Sequence, residues 1–444
     1  MNSGYRTASG RPVSPAAVRL IRREPLRSAL AWPASAFAFA AAVCLLAASS
    51  SSAVAEPLTF DEALALAGST APQLRASAVR VEAASAAAGA TGRLPDPQLR
   101  FGVDNLPVSG PMAGRFDDDM TMARIGLMQA VPNGARRRAE RAVAEADIGV
   151  AIADDAVARR EARIAVGLAW IDLHFAGRRL AAIEEVLSTL EPLWEAVPAG
   201  VASGANLPAG ALKPVLLRAA LQDRRSLLTA EVTRARAELT RWTGDPNPAA
   251  SGPVPAFEVE PADLSIGLER LPTLQAWRAA GARADAEVDL ARSGRRPDWS
   301  FEVSYGRRDP MFGDMLSVGA SVSLPLFAHQ RQEPLIAARS AQALGVRLER
   351  EAAAREIRAA LDAALAGLAA RRDQWVRSRD VILPAARQRA DLETASYAAG
   401  RAGLAEVLEV FTGLADARLD ALDREAALAR DTARITLTYR SDDR

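Results

Sequence analysis

The sequence predicts an α+β membrane protein in which long helices run into a transmembrane β-barrel shared between copies of the chain. Three observations predict it: two pairs of segments that alternate apolar and polar side chains, a helical composition around them, and an internal duplication. Alternation with period two is the signature of a strand. Beyond the N-terminus no segment reaches the roughly eighteen consecutive apolar residues of a spanning helix. Any bilayer crossing therefore falls to a closed barrel, whose backbone groups all pair within it.

The chain has 444 residues, 55 basic against 54 acidic, and a formal net charge of +1. With no long basic stripe outside the N-terminus, nothing points to nucleic acid as a partner. Aromatic residues make up only 5%, while Ala, Leu, Arg and Glu dominate, as in extended helices packed through small side chains.

At the N-terminus Arg19, Arg22, Arg23 and Arg27 precede an apolar run from Ala34 to Ala48 and the small residues Ala53-Val54-Ala55. This pattern predicts a secretory signal peptide over 1–55 and a mature start at Glu56. Glu24 and Pro25 follow the Arg22-Arg23 pair, which favours ordinary export over the twin-arginine route. The lone Cys44 lies inside the leader behind Val43, where a lipoprotein box needs a small residue. The mature chain then holds no cysteine and no disulfide.

A first structural repeat is expected over 56–250. It contains a helix, strands near 98–105 and 121–131, and a long helical hairpin. Leu99, Phe101 and Val103 share one face opposite Gln98, Arg100, Gly102 and Asp104, and Ile125 and Leu127 oppose Arg124 and Gly126. Arg136 to Val197 has few breakers and would form a rod of roughly 90 Å. Pro192, Pro198, Pro208, Pro214 and Pro384 are expected to kink or divide the long helices.

Proline-rich chain leads to a linker at 251–262, and a second repeat over 263–440 repeats the order, with strands near 300–307 and 316–326. Phe301, Val303 and Tyr305 oppose Ser300, Glu302 and Ser304, while Leu316, Val318, Ala320 and Val322 oppose Ser317, Gly319 and Ser321. The halves align at several landmarks: Ala71 to Ala76 with Leu271 to Ala276, Pro95-Asp96 with Pro297-Asp298, Pro132 with Pro325, and Gly204 to Leu212 with Gly400 to Leu408. Four strands cannot close a barrel, since the smallest single-chain membrane barrels have about eight. A trimer would supply about twelve.

Over the whole mature chain the sequence resembles the TolC-like outer-membrane efflux proteins. The resemblance is carried by Leu58-Thr59-Phe60-Asp61-Glu62-Ala63-Leu64, by Gly126 to Gly134 followed by Arg136-Arg137-Arg138, and by Tyr397-Ala398-Ala399-Gly400-Arg401-Ala402-Gly403-Leu404. Asp104-Asn105-Leu106-Pro107 and the Met-Gln-x-Val-Pro-Asn close of the second strand are similar to the heavy-metal efflux branch, which partners resistance-nodulation-division pumps. The resemblance implies a homotrimer with a twelve-stranded barrel in outer-membrane lipid, continued by an α-helical barrel in the periplasm. It would be a passive duct, fed by such an inner-membrane pump through a periplasmic adaptor (membrane fusion protein), with heavy-metal cations as candidate cargo. It further implies that Gly204, Asn206 and Leu207, and Gly400, Gly403 and Leu404, mark the two tips that meet the adaptor. Acidic residues after the second tip, here Glu406 and Glu409, would ring the periplasmic mouth, with Arg401 as the candidate latch base. Solvated helix-face charges are the alternative reading of that acidic pair.

Beyond Met1, the methionines Met112, Met120, Met122, Met128, Met311 and Met315 all lie in or beside the strand pairs. Thioethers suit Cu(I), which makes Met120, Met122 and Met128 the residues to check for a soft-metal route. Ordinary apolar filling is the preferred reading, so no metal site is assigned. His174 reads as a packing residue, His329 is isolated, and Asp117-Asp118-Asp119 reads as a solvated loop. No nucleophile elbow, phosphate loop or paired carboxylates appear, so no cofactor and no enzyme is expected. The competing class is a periplasmic coiled-coil structural or adaptor protein whose strands form a small soluble sheet.

Overall fold

The computed structural model describes residues 57–202 and 212–440, apart from the side chains of 199–201. The leader expected over 1–55 and the tip residues Gly204, Asn206 and Leu207 lie outside the described residues.

Strand β1 (Pro57–Leu58) leads into helix α1 (Phe60–Thr70). A capping box starts that helix: the Thr59 N–H donates to Glu62 Oε2 at 2.8 Å, and the Glu62 N–H donates to Thr59 Oγ1 at 3.3 Å. The motif from Leu58 to Leu64 is thus a helix start that turns Phe60 and Ala63 into the core. Helix α2 (Pro72–Ala90) opens on proline, whose missing N–H would have no helical partner there.

Strands β2 (Gln98–Asp104) and β3 (Met122–Val131) follow, then helix α3 (Gly134–Ala202). Helix α3 has 69 residues and is about 100 Å long. It runs through both Pro192 and Pro198 as one continuous helix, so of the two outcomes expected for these prolines, a kink or a division, division does not occur. Helix α4 (Leu212–Thr243) returns along it. The proline-rich stretch that follows contributes strand β4 (Ala249–Ala250), which pairs in parallel with β1. Two-residue strands carry too little pattern to be seen in sequence.

Helix α5 (Pro261–Gly267), a short 3₁₀ turn and helix α6 (Pro272–Ser293) lead to strands β5 (Trp299–Arg307) and β6 (Met315–Val322). Strand β6 stops short of the expected 326 because Pro325 has no N–H to offer the ladder. Its last rung is the bond from Ser323 N–H to the Asp298 carbonyl, 2.9 Å. Helix α7 (Ala328–Arg377) passes through a π turn at Ser378–Ile382 into helix α8 (Leu383–Ala398). That turn, closed by the Leu383 N–H on the Ser378 carbonyl, accommodates Pro384 immediately after it. Helix α9 (Leu404–Tyr439) closes the fold.

The core lies along α3. Phe60 meets Trp170 edge to face at 5.6 Å, and the Trp170 indole N–H donates to the Leu58 carbonyl at 2.8 Å. Towards the tips, Ile183, Leu190 and Trp194 of α3 pack with Leu221 of α4 and with Leu408 and Leu419 of α9. His174 stacks on Trp170 at 5.2 Å. Burial and the nearby Arg178 charge hold its imidazole below the usual histidine range, so it packs as a neutral ring.

Where strands meet helices, the two halves of the chain are clasped together. Asp298, just before β5, accepts from the Asn133 backbone N–H at 2.7 Å, from Asn133 Nδ2 at 2.8 Å and from Arg136 at 3.3 Å. Asn133 Oδ1 also accepts from the Arg136 N–H at 2.8 Å, capping α3. Replacing Asp298 with Ala leaves the Asn133 backbone N–H unpaired, while Asn133 Nδ2 keeps the Ser293 and Arg296 carbonyls and Arg136 keeps Glu140, and should cost about 1–3 kcal/mol. The expected result is a thermal midpoint in detergent several degrees lower than that of the unaltered protein; an unchanged midpoint would show the clasp to be dispensable.

Candidate functional site

The four strands form one antiparallel sheet in the order β2-β3-β5-β6. Its register places Leu99, Leu127, Val303 and Val318 in one cross-strand row, and Phe101, Ile125, Tyr305 and Leu316 in another. This face is bare: Phe101 is 84% exposed, Leu316 72% and Val318 77%. Exposed apolar surface of this extent marks an interaction surface, here one matching the hydrocarbon of a bilayer. The opposite face carries Gln98, Arg100, Asp104, Arg124, Glu302 and serines, with Arg124 bonded to Asp104 at 3.1 Å and to Glu302 at 3.0 Å. Strands β2 and β6 each leave one edge unpaired within the protomer.

At the far end of the helices, α8 terminates in a Schellman motif. The Gly400 N–H donates to the Tyr397 carbonyl at 2.9 Å and the Arg401 N–H to that of Ser396 at 2.8 Å. Gly400 has φ +70°, a left-handed conformation that glycine adopts at no steric cost. The chain then turns at Gly403, over which the Glu406 carboxylate folds back in the first turn of α9. A carboxylate there is favoured by the free N–H groups of the helix start.

Glu409, one turn on, meets Lys213 at 2.6 Å. Lys213 is the only lysine in the sequence and stands at the second position of α4. The hydrogen bond and charge of Lys213 hold the Glu409 carboxyl below its ordinary value, and Glu409 in turn raises the Lys213 ammonium. The two residues are 196 apart, the same offset that aligns Gly204 with Gly400, so equivalent positions of the two repeats carry opposite charges and meet.

Two expectations need correction here. Arg401, the candidate latch base, makes no ion pair among the described residues; it lies exposed beyond the end of α8, and Lys213 is the base that reaches Glu409. Leu404 is buried in the cluster with Ile183 and Trp194, so its side chain is turned away from any docking surface. Sequence alone gave little sign of Lys213, except that it is the sole lysine and sits in register with Glu409.

The methionines do not gather. Met122 and Met128 share the polar face of β3 but lie six positions apart, about 20 Å along the strand, and Met120 precedes it. Among the described residues no group of three or more His, Cys, Asp or Glu is placed to hold a metal ion. A groove of about 750 Å³ between α3, α4 and α9 is lined by ionised groups, several of which pair with one another. There Arg179 bridges Glu231 at 2.5 Å and Asp423 at 2.8 Å, and Arg430 pairs with Asp172.

Residues 264–438 match the family model described as outer membrane efflux protein. The second half of the chain is thus an outer membrane efflux protein segment. The efflux protein is also 24% identical over 372 residues to the cobalt-zinc-cadmium resistance protein CzcC of Cupriavidus metallidurans, covering 82% of this chain and 86% of the relative. Among solved structures its fold is similar to the Campylobacter jejuni CmeC outer membrane channel, with a TM-score of 0.73 at 12% identity, covering 86% of this chain and 85% of that one. It is similar as well to the open-state Neisseria gonorrhoeae MtrE outer membrane channel, with a TM-score of 0.71 at 16% identity, covering 86% and 88%. The efflux protein is accordingly an outer-membrane channel component and not an enzyme. Its strands belong in the outer membrane and its helices in the periplasm.

Proposed function

We propose that three copies of this efflux protein close a twelve-stranded barrel and form the passive exit for heavy-metal cations. A resistance-nodulation-division pump in the inner membrane would deliver them through a periplasmic adaptor. The observation that carries the duct reading is the sheet with one bare apolar face, one polar face and two open edges. An antiparallel sheet with an even strand number brings β6 of one copy antiparallel to β2 of the next, so the ladder continues without a change of pattern. Outer-membrane lipid covers the apolar face.

The cargo class is supported by the name of the cobalt-zinc-cadmium resistance relative and by the carboxylates Glu406 and Glu409 near the periplasmic end. In this reading the adaptor meets the tips at Gly204, Asn206 and Leu207 and at Gly400 and Gly403. The chain divides into a leader at 1–55, repeats at 56–250 and 263–440, and a linker at 251–262.

Two measurements test the reading. Light scattering of the mature protein extracted from outer membranes, corrected for bound detergent, should give the mass of a trimer; a soluble species needing no detergent would overturn the barrel. Expressed with its cognate pump and adaptor in a host lacking other exit ducts, the channel should restore tolerance to cobalt, zinc and cadmium salts. Restored tolerance to organic dyes but not to these metals would overturn the cargo and leave the duct standing.

A further inference from the structure

The polar face of the sheet carries four charged side chains, joined in a chain: Asp104 to Arg124 at 3.1 Å, Arg124 to Glu302 at 3.0 Å, and Glu302 to Arg100 at 3.5 Å. The other strand residues on this face are uncharged: Gln98, Met122, Met128, Met315, alanine, serines and glycines. Two positive and two negative groups therefore cancel within one protomer. This row of charges crosses β2, β3 and β5 and runs among glycines, of which Gly126 stands beside Glu302. Arg100 lies opposite Gly126, Arg124 opposite Gly102 on one side and Gly306 on the other, and Glu302 opposite Gly319. A Cβ at Gly126 would stand 2.9 Å from Ser304 Cβ and 3.5 Å from Glu302 Oε1, so a larger residue there would crowd the carboxylate.

We propose that Glu302 is the residue that keeps the exit barrel indifferent to the sign of a solute's charge. One carboxylate serves both Arg100 and Arg124, and by compensating them it leaves a lumen wall that holds neither sign of solute. This rests on the duct reading, in which the polar face lines the lumen. Cargo of either charge then leaves the barrel without being trapped, and ion preference is set at the periplasmic end. Neutralising Glu302 unmasks one net positive charge per protomer, and three around a closed trimer.

The test is the reversal potential of full mature channels in planar bilayers under a KCl gradient. Glu302→Gln should raise the chloride-to-potassium permeability ratio at least twofold. Arg100→Gln, which leaves a net negative wall, should lower it. The double variant should return to the unaltered value, because Arg124 and Asp104 still pair. Should Glu302→Gln fail to assemble, Arg100→Gln and the double variant decide alone. Conducting variants with unshifted reversal potentials would overturn the inference and leave the duct intact, whereas an unaltered protein that forms no conducting pore would overturn the duct reading itself.

Discussion

Val318→Arg should abolish assembled channel in the outer membrane, while Ser317→Arg, one residue earlier on the same strand, should leave it in place. Both side chains are exposed in the protomer, so a soluble sheet would tolerate both changes alike. In a barrel the two residues point to opposite sides of the wall. Val318 pairs with Val303 in the middle of the apolar face, whereas Ser317 pairs with Ser304 on the polar one. An arginine facing hydrocarbon near the bilayer midplane costs about 2–4 kcal/mol, and a closed trimer carries it three times. That penalty of roughly 6–12 kcal/mol is comparable to the whole stability of a folded protein. An arginine at Ser317 would stay in water and change only the charge of the lumen. Heat-sensitive trimer bands from purified outer membranes would report assembly for both variants. Equal survival, or equal loss, would contradict the assigned lipid face.

That face was legible in the sequence because period two needs no partner to be read. Phe301, Val303 and Tyr305 announce a strand, and the register then aligns Val303 with Leu127 and Tyr305 with Ile125, while Phe301 meets Gln129. The long helices were equally plain, since a uniform composition over tens of residues leaves few alternatives. The ends of elements were harder. Strand β6 stops at Val322 because of a single missing N–H, although the alternation of Leu324 and Leu326 continues past it. Contacts that join the two repeats were not legible at all. Asp298 and Asn133 are 165 positions apart, and neither stands out from its neighbours until the strands bring them together. At the periplasmic end the sequence supplied the acids but misplaced the base. Arg401 is near in sequence, yet the Schellman turn leaves it outside the helix, and Lys213 arrives from the other repeat.

The second large effect is expected at that pair. Under the gate reading, Lys213→Glu sets two carboxylates against each other where α4 and α9 begin, and the tips should spread. Single-channel conductance in bilayers should rise severalfold over the unaltered channel. Adding Glu409→Lys reverses the pair and should bring conductance back down; recovery in this double variant separates a specific contact from a general change in mouth charge. Replacing Glu406 and Glu409 together with Ala should also raise conductance, and should reduce cation preference by removing the ring of carboxylates. The pH dependence has a fixed sign. The folded Glu409 carboxyl titrates below its ordinary value, so the contact is complete above the ordinary glutamate range near pH ~4.3 and is lost as pH falls through the lowered value. Acid should therefore open the unaltered channel but leave the Glu409→Ala variant unchanged in that window. Both groups are exposed, so salt will weaken the contact, and the effect should be largest at low ionic strength. If Lys213→Glu conducts like the unaltered channel at low salt, Glu409 is a solvated helix-face charge and the gate lies elsewhere.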